Sequence, residues 1–272
     1  MPSPGDTATP DIPRAVLRQT IQETLGALDV VLAVGQAEFI SREVGRVVSV
    51  GQGVARVRGL PGVRSEELIS LHGGLLGLAY NLGPDEVGVV LLGNSQHLAA
   101  GSLAHRTGRI LDVPVGDGLV GRVMDALGRP LDDLGPLRSI TRLPVERPAP
   151  PIVSRAAIIQ PLQTEIKVID SLLPIGRGQR ELILGDRQTG KTAVALDAIL
   201  KQRDKNVLCV YCAIGQRSSA VAKFLAVLRQ HDALRYCVVV VAAGDEPPGV
   251  QFVAPTRRPR WPSSSWSKGR MY

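Results

Sequence analysis

One short stretch constrains this chain more than any other: Gly185-Asp186-Arg187-Gln188-Thr189-Gly190-Lys191-Thr192. It follows an apolar run, Glu181-Leu182-Ile183-Leu184, and opens an alanine-bearing segment from Ala193 to Leu200. Strand, glycine-bearing loop and helix form the setting that the phosphate-loop pattern G-x-x-x-x-G-K-[ST] requires. The glycines let backbone N–H groups turn inward around an anion, and the next helix adds its positive end. The pattern therefore predicts that Gly185 to Ala193 cradle the phosphates of a nucleotide. Lys191 would reach the β- and γ-phosphates, and the Thr192 hydroxyl would ligate Mg²⁺. Beyond the loop, a strand at Val207–Ile214, a helix at Ser218–Gln230 and a strand at Tyr236–Ala242 predict a parallel sheet. Val221, Phe224, Leu225 and Leu228 give that helix an i, i+3, i+4, i+7 face.

Upstream the chain changes character. Residues 1–10 are rich in proline, glycine and small polar residues, and read as disordered. From Ile12 to Leu28 the spacing predicts one amphipathic helix, with Pro13 suited to its start. Glu43–Val50, Val54–Arg58, Glu67–Leu71, Val87–Leu92 and Arg109–Val113 read as short strands, with glycines between them. Such a series predicts a small closed β-barrel. Pro161–Asp170 reads as a helix leading to the loop, and the prolines of Arg129–Pro151 predict a long surface connection. The expected domains are a start and helix over 1–37, a barrel over 38–105, and an α/β phosphate-loop domain over 106–255. A tail over 256–272 stands apart.

The net charge of +7 looks basic, but Arg257, Arg258, Arg260, Lys268 and Arg270 carry most of it in that tail. The rest of the chain offers no basic footprint for nucleic acid. Between residues 38 and 105 the aromatic residues are Phe39 and Tyr80, too few for a barrel that stacks bases. No apolar core follows the amino terminus, and Asn81, Pro84, Asp85 and Glu86 interrupt the apolar stretch from Leu75 to Gly93. The expectation is a cytoplasmic chain. Three cysteines suit a reducing compartment, and Cys209 and Cys212, three apart on a strand, face opposite sides. The four histidines show no metal-ligand spacing.

Several segments together resemble the alpha subunit of F-type ATP synthase. They are Pro161-Leu162-Gln163-Thr164, Ile169-Asp170, Pro174 to Leu182, and the loop itself. Gly45-Arg46-Val47-Val48-Ser49-Val50-Gly51 in the barrel and Gly121-Arg122-Val123 later are similar to the same family. Asp186, Arg187 and Gln188 inside the loop look like alpha, since the catalytic beta subunit is glycine- and alanine-rich there. Within the family the likeness leans towards the alternate, sodium-type bacterial operon. Glu165 departs from it, standing where the family usually has glycine.

The resemblance implies binding of ATP or ADP with Mg²⁺ at a non-catalytic, regulatory site. It implies beta subunits as partners in an alternating hexamer, with gamma and peripheral-stalk subunits and only indirect attachment to the membrane. Where beta positions the attacking water with a glutamate, this chain has Gln216, whose amide takes no proton at neutral pH. The family's arginine finger, Mg-coordinating aspartate strand and helical carboxy-terminal domain have no counterpart here. The chain therefore reads as an amino-terminal portion, inactive by itself. The alternatives are a stand-alone phosphate-loop ATPase or a transcription-terminator-type RNA helicase.

Thr256 to Tyr272 holds both tryptophans, Trp261 and Trp266, and no acidic residue. One synonymous coding of Thr256 to Ser267, read with a preceding T in the neighbouring frame, gives Tyr-Ala-Ala-Thr-Ala-Met-Ala-Glu-Phe-Phe-Met-Glu. That string looks like the helix that follows Ala-Pro in the alpha family. The expectation is a tail that is out of frame and without function.

Overall fold

The computed structural model describes residues 43–146 and 157–257, together with Gln22, Pro151 and Val153. The helix expected over 12–28 lies outside the described residues except for Gln22, which is helical. The tail beyond 257 lies outside them altogether.

Six antiparallel strands close the barrel: β1 (Val44–Gly51), β2 (Val54–Arg58), β3 (Glu67–Leu71), β4 (Leu76–Leu82), β5 (Val87–Leu91) and β6 (Leu103–Ile110). They follow one another around it as β1-β2-β5-β4-β3-β6, and β6 returns to pair with β1. Alternation drives the closure. Val47, Ala55, Val57, Ile69, Leu71, Ala79, Val89 and Leu91 point inward and are buried, while Arg46, Arg56 and Arg58 point out. Gln52 and Gly53, at φ 50° and 78°, form the two-residue turn whose twist suits the β1–β2 hairpin. Inside the barrel wall Glu67 is buried and takes a paired grip from Arg106, whose Nε and Nη2 both lie 3.0 Å from its oxygens. The last barrel strand runs on to Ile110, and β4 formed where the sequence had offered only an apolar-leaning stretch.

Next come β7 (Asp112–Val115), β8 (Val123–Asp125) and β9 (Thr141–Pro144). β9 pairs antiparallel with β7, so the proline-rich connection expected over 129–151 contains one regular piece. The helix expected over Pro161–Asp170 does not form as one element. Pro161–Leu162 forms a short strand β10, paired with β11 at Ile175–Gly176, and helix α1 spans only Lys167–Leu172. Asp170 explains the delayed start. It accepts the Thr164 N–H at 3.0 Å, the Thr164 hydroxyl at 2.6 Å and the Glu165 N–H at 2.7 Å, holding a turn where a helix would have needed those groups.

The parallel sheet consists of β12 (Cys209–Gln216), β13 (Cys237–Ala243) and β8, in the order β12-β13-β8. β13 is buried along its whole length, as an uninterrupted Val/Ala run in a central parallel strand must be. Helix α2 (Lys191–Leu200) and helix α3 (Ser218–Gln230) cover one face. Val221, Phe224 and Leu228 pack there against Val239 and Val241, with Leu196, Ile199 and Leu200 alongside. Leu119, Met124, Val238 and Val240 fill the opposite face. Helix α4 (Pro248–Val253) closes its end and leans on the barrel, where Phe252 meets Tyr80 edge to face with ring centroids 6.3 Å apart.

The strand expected at Glu181–Leu184 did not form. Leu182 and Leu184 are 78% and 79% exposed, and these residues pair with no strand. An apolar run needs a neighbouring ladder before it becomes a strand, and among the described residues none is beside it.

Candidate functional site

The phosphate loop leads from this extended segment into α2. Its backbone twists through the left-handed region twice, at Gln188 (φ 64°) and Gly190 (φ 92°). That geometry turns successive N–H groups to one side and makes a concave anion nest. Gly190 stands at the N-cap of α2 with no side chain capping the helix, so the first N–H groups remain available to an anion. Space is tight where glycine is required: a Cβ on Gly185 would lie 2.8 Å from the Thr189 hydroxyl oxygen.

Lys191 folds back across the loop. Its ammonium donates to the Gly185 carbonyl at 2.7 Å and to the Asp186 carbonyl, and lies 3.5 Å from the Thr189 hydroxyl oxygen. Thr189 in turn donates to the Asp186 carbonyl at 2.9 Å. The ammonium thus sits at the centre of the cradle, where an incoming phosphate would replace carbonyl partners with charged oxygens. Thr192 and Ala193 follow on the first turn of α2, and both are exposed. The loop therefore fits a phosphate chain. Among the described residues no group of three or more His, Cys, Asp or Glu is arranged to hold a metal. A magnesium ion here would depend on the Thr192 hydroxyl and on the nucleotide's own oxygens.

The far end of α2 is anchored. Gln202, just past the helix, donates through Nε2 to the Gln163 carbonyl at 2.9 Å, and Lys201 and Lys205 pair with Glu165 at 3.2 Å and 2.8 Å. Those contacts tie the helix carrying the loop to the turn that Asp170 organises.

Gln216 ends β12, where Gly215 (φ 64°) interrupts the register with β13. Its Nε2 donates to the Tyr211 hydroxyl at 3.0 Å, and Tyr211 lies stacked on Phe224 with centroids 3.8 Å apart. The neutral amide is thereby held at the carboxyl end of the sheet, bonded to Tyr211. Two acidic groups that the sequence reading passed over stand at this same end. Asp125 accepts the N–H groups of Leu127 at 2.8 Å and Arg129 at 2.7 Å, a turn that its spacing from Gly128 could have announced. Burial, with Asp125 and Asp245 nearby, raises the Glu246 carboxyl above its ordinary range. No sequence pattern signals that.

Known families match both halves of this architecture. Residues 40–108 match the beta-barrel domain of the ATP synthase alpha/beta family, and residues 165–257 match its nucleotide-binding domain. The chain belongs to the ATP synthase alpha/beta family. It is 54% identical over 239 residues to ATP synthase subunit alpha 2 of Syntrophus aciditrophicus, which is 88% of this chain and 46% of that protein. It is 56% identical over 243 residues to the subunit alpha 2 of Polaromonas naphthalenivorans, covering 89% of this chain and 47% of that one. Against the Albidiferax ferrireducens subunit alpha 2, identity reaches 60% over 214 residues, 79% of this chain and 40% of the relative. The chain thus spans about half the length of the curated relatives it matches. None of its described helices is long and apolar enough to cross a membrane.

Proposed function

We propose that this chain is an alpha-type, non-catalytic nucleotide-binding component of a rotary F-type ATP synthase that moves protons or sodium ions. The observation that carries this reading is the uncapped N-terminus of α2 behind a loop with two left-handed residues and a central lysine. Gly185 to Ala193 wrap the phosphates of ATP or ADP. Lys191 exchanges its loop carbonyls for β- and γ-phosphate oxygens, and Thr192 offers its hydroxyl to Mg²⁺. When bound, the ion neutralises charge on the phosphates.

Turnover needs a group that orients and deprotonates water, and at the end of β12 stands Gln216, which can do no more than hydrogen-bond. The bound nucleotide accordingly serves structure and regulation. The likeness to relatives named subunit alpha supports assembly with beta, gamma and stalk subunits in the cytoplasm, against the membrane sector.

Calorimetric titration of Mg-ATP into the purified chain tests the binding half. Saturable binding that falls at least tenfold with Lys191→Ala supports it. Tight binding that survives Lys191→Ala would place the nucleotide elsewhere.

A further inference from the structure

We propose that Cys209 and Cys237 form an oxidisable thiol pair across the β12–β13 ladder, closing reversibly to a disulfide when a peroxide reaches it. The two residues are direct partners in the parallel register. Neighbouring strands stand about 4.8 Å apart, inside the roughly 4.4–6.8 Å that a disulfide asks of its Cα atoms. Facing residues in a ladder share one side of the sheet, so both thiols lie on the same face. Both are reduced and buried, with exposures of 9% and 1%.

Their roles differ. The Cys237 thiol donates a hydrogen bond to the Cys209 sulfur, which lowers the Cys209 thiol below its ordinary range and raises Cys237. Cys209, the lowered thiol, is accordingly the attacking cysteine of the pair and Cys237 the resolving one.

β12 is the outer strand of the described sheet. Leu208 and Tyr236, each one residue before a cysteine, line a cavity of about 300 Å³ together with Arg235. Leu208 precedes Cys209 in the chain and Tyr236 precedes Cys237, so this cavity reaches the same end of both strands. Cys212 takes no part. It lies on the opposite face, with its sulfur 3.6 Å from the Ala254 carbonyl oxygen.

The chemistry balances with hydrogen peroxide as oxidant. The Cys209 thiolate attacks one peroxide oxygen, the O–O bond breaks, and hydroxide leaves and takes a proton to become water. The Cys209 sulfenic sulfur is then attacked by Cys237, the S–S bond forms, and the second oxygen leaves as water with the Cys237 proton. Two thiols lose two electrons and the peroxide gains them.

The experiment oxidises the folded chain with hydrogen peroxide, alkylates the remaining thiols and digests with trypsin. Cys209 and Cys212 fall in the peptide 206–217, and Cys237 in 236–257. The expected result is a loss of two hydrogen masses from the intact protein and a cross-link joining these peptides. The link should persist in Cys212→Ser, be undone by dithiothreitol, and disappear when urea unfolds the chain before oxidation. A loop closed within 206–217, stepwise addition of oxygen without a cross-link, or no reaction would each overturn the proposal. Mapping the unsubstituted protein keeps the test valid if a cysteine variant does not fold.

Discussion

Glu165 reaches Lys205 at 2.8 Å from a backbone held at φ 61°, a conformation that favours glycine. The family resemblance puts glycine there, and the structure supplies both the reason for that preference and the offset for its loss. Lys201 and Lys205 hold the carboxyl group and lower it below its ordinary range. Two substitutions separate strain from charge. Glu165→Gly should raise Tm slightly, and more so at high salt, where the ion pairs are screened. Glu165→Ala keeps the strain, loses the pairs, and should lower Tm. Melting curves at two salt concentrations check this, and a drop with glycine at high salt would refute it.

Asp132 anchors the entry to β8. Arg122 grips it through Nε at 2.7 Å and Nη2 at 2.8 Å, and the Val123 N–H donates to it at 2.9 Å. These bonds, led by Arg122, hold the carboxyl at about 2, against an ordinary 3.8. Because the folded value is depressed, the stabilisation is present above the ordinary value and is lost as pH falls towards 2. It amounts to about 2 kcal/mol at neutral pH. Asp132→Ala should cost about 3–5 kcal/mol, since Arg122 would stay half-buried without its partner. Urea unfolding at neutral pH and in acid measures both, and a variant cost below about 1 kcal/mol would contradict the account.

The exposed Leu182 and Leu184, with Val210 and Ile214 facing out along the outer strand β12, predict association of the purified chain. The last strand, β13, is central, flanked by β12 and β8. Sedimentation velocity should show concentration-dependent species that the double substitution of Leu182→Lys and Leu184→Lys reduces. A soluble monomer with one sharp thermal transition, unchanged by the substitutions, would contradict this.

Legibility followed locality. β2 and β3 kept their expected bounds because alternation and flanking turns define a half-buried strand within a few residues. α3 was readable from the spacing of Val221, Phe224 and Leu228. The loop was legible because its motif encodes its own backbone. What escaped depended on distant partners: Glu181–Leu184 needed a neighbouring ladder, and Cys237 became notable only once the ladder set it opposite Cys209. The turn at Thr164 was hidden because its organiser, Asp170, sits six residues away.

Residues 258–272 lie beyond the stretch that matches the family's nucleotide-binding domain, which ends at 257. We propose that the reading frame shifts near Thr256. Resequencing the locus should find an alpha-like continuation in the neighbouring frame; its absence there would end the idea.

The central claim, binding without turnover, meets its most direct test in the fate of the bound nucleotide. Radiolabelled Mg-ATP is equilibrated with the chain for hours, and the protein-bound label is separated by chromatography. The account predicts that it is recovered as triphosphate, with phosphate release at background and binding lost in Lys191→Ala. Steady accumulation of ADP and phosphate that Thr192→Ala abolishes would contradict it.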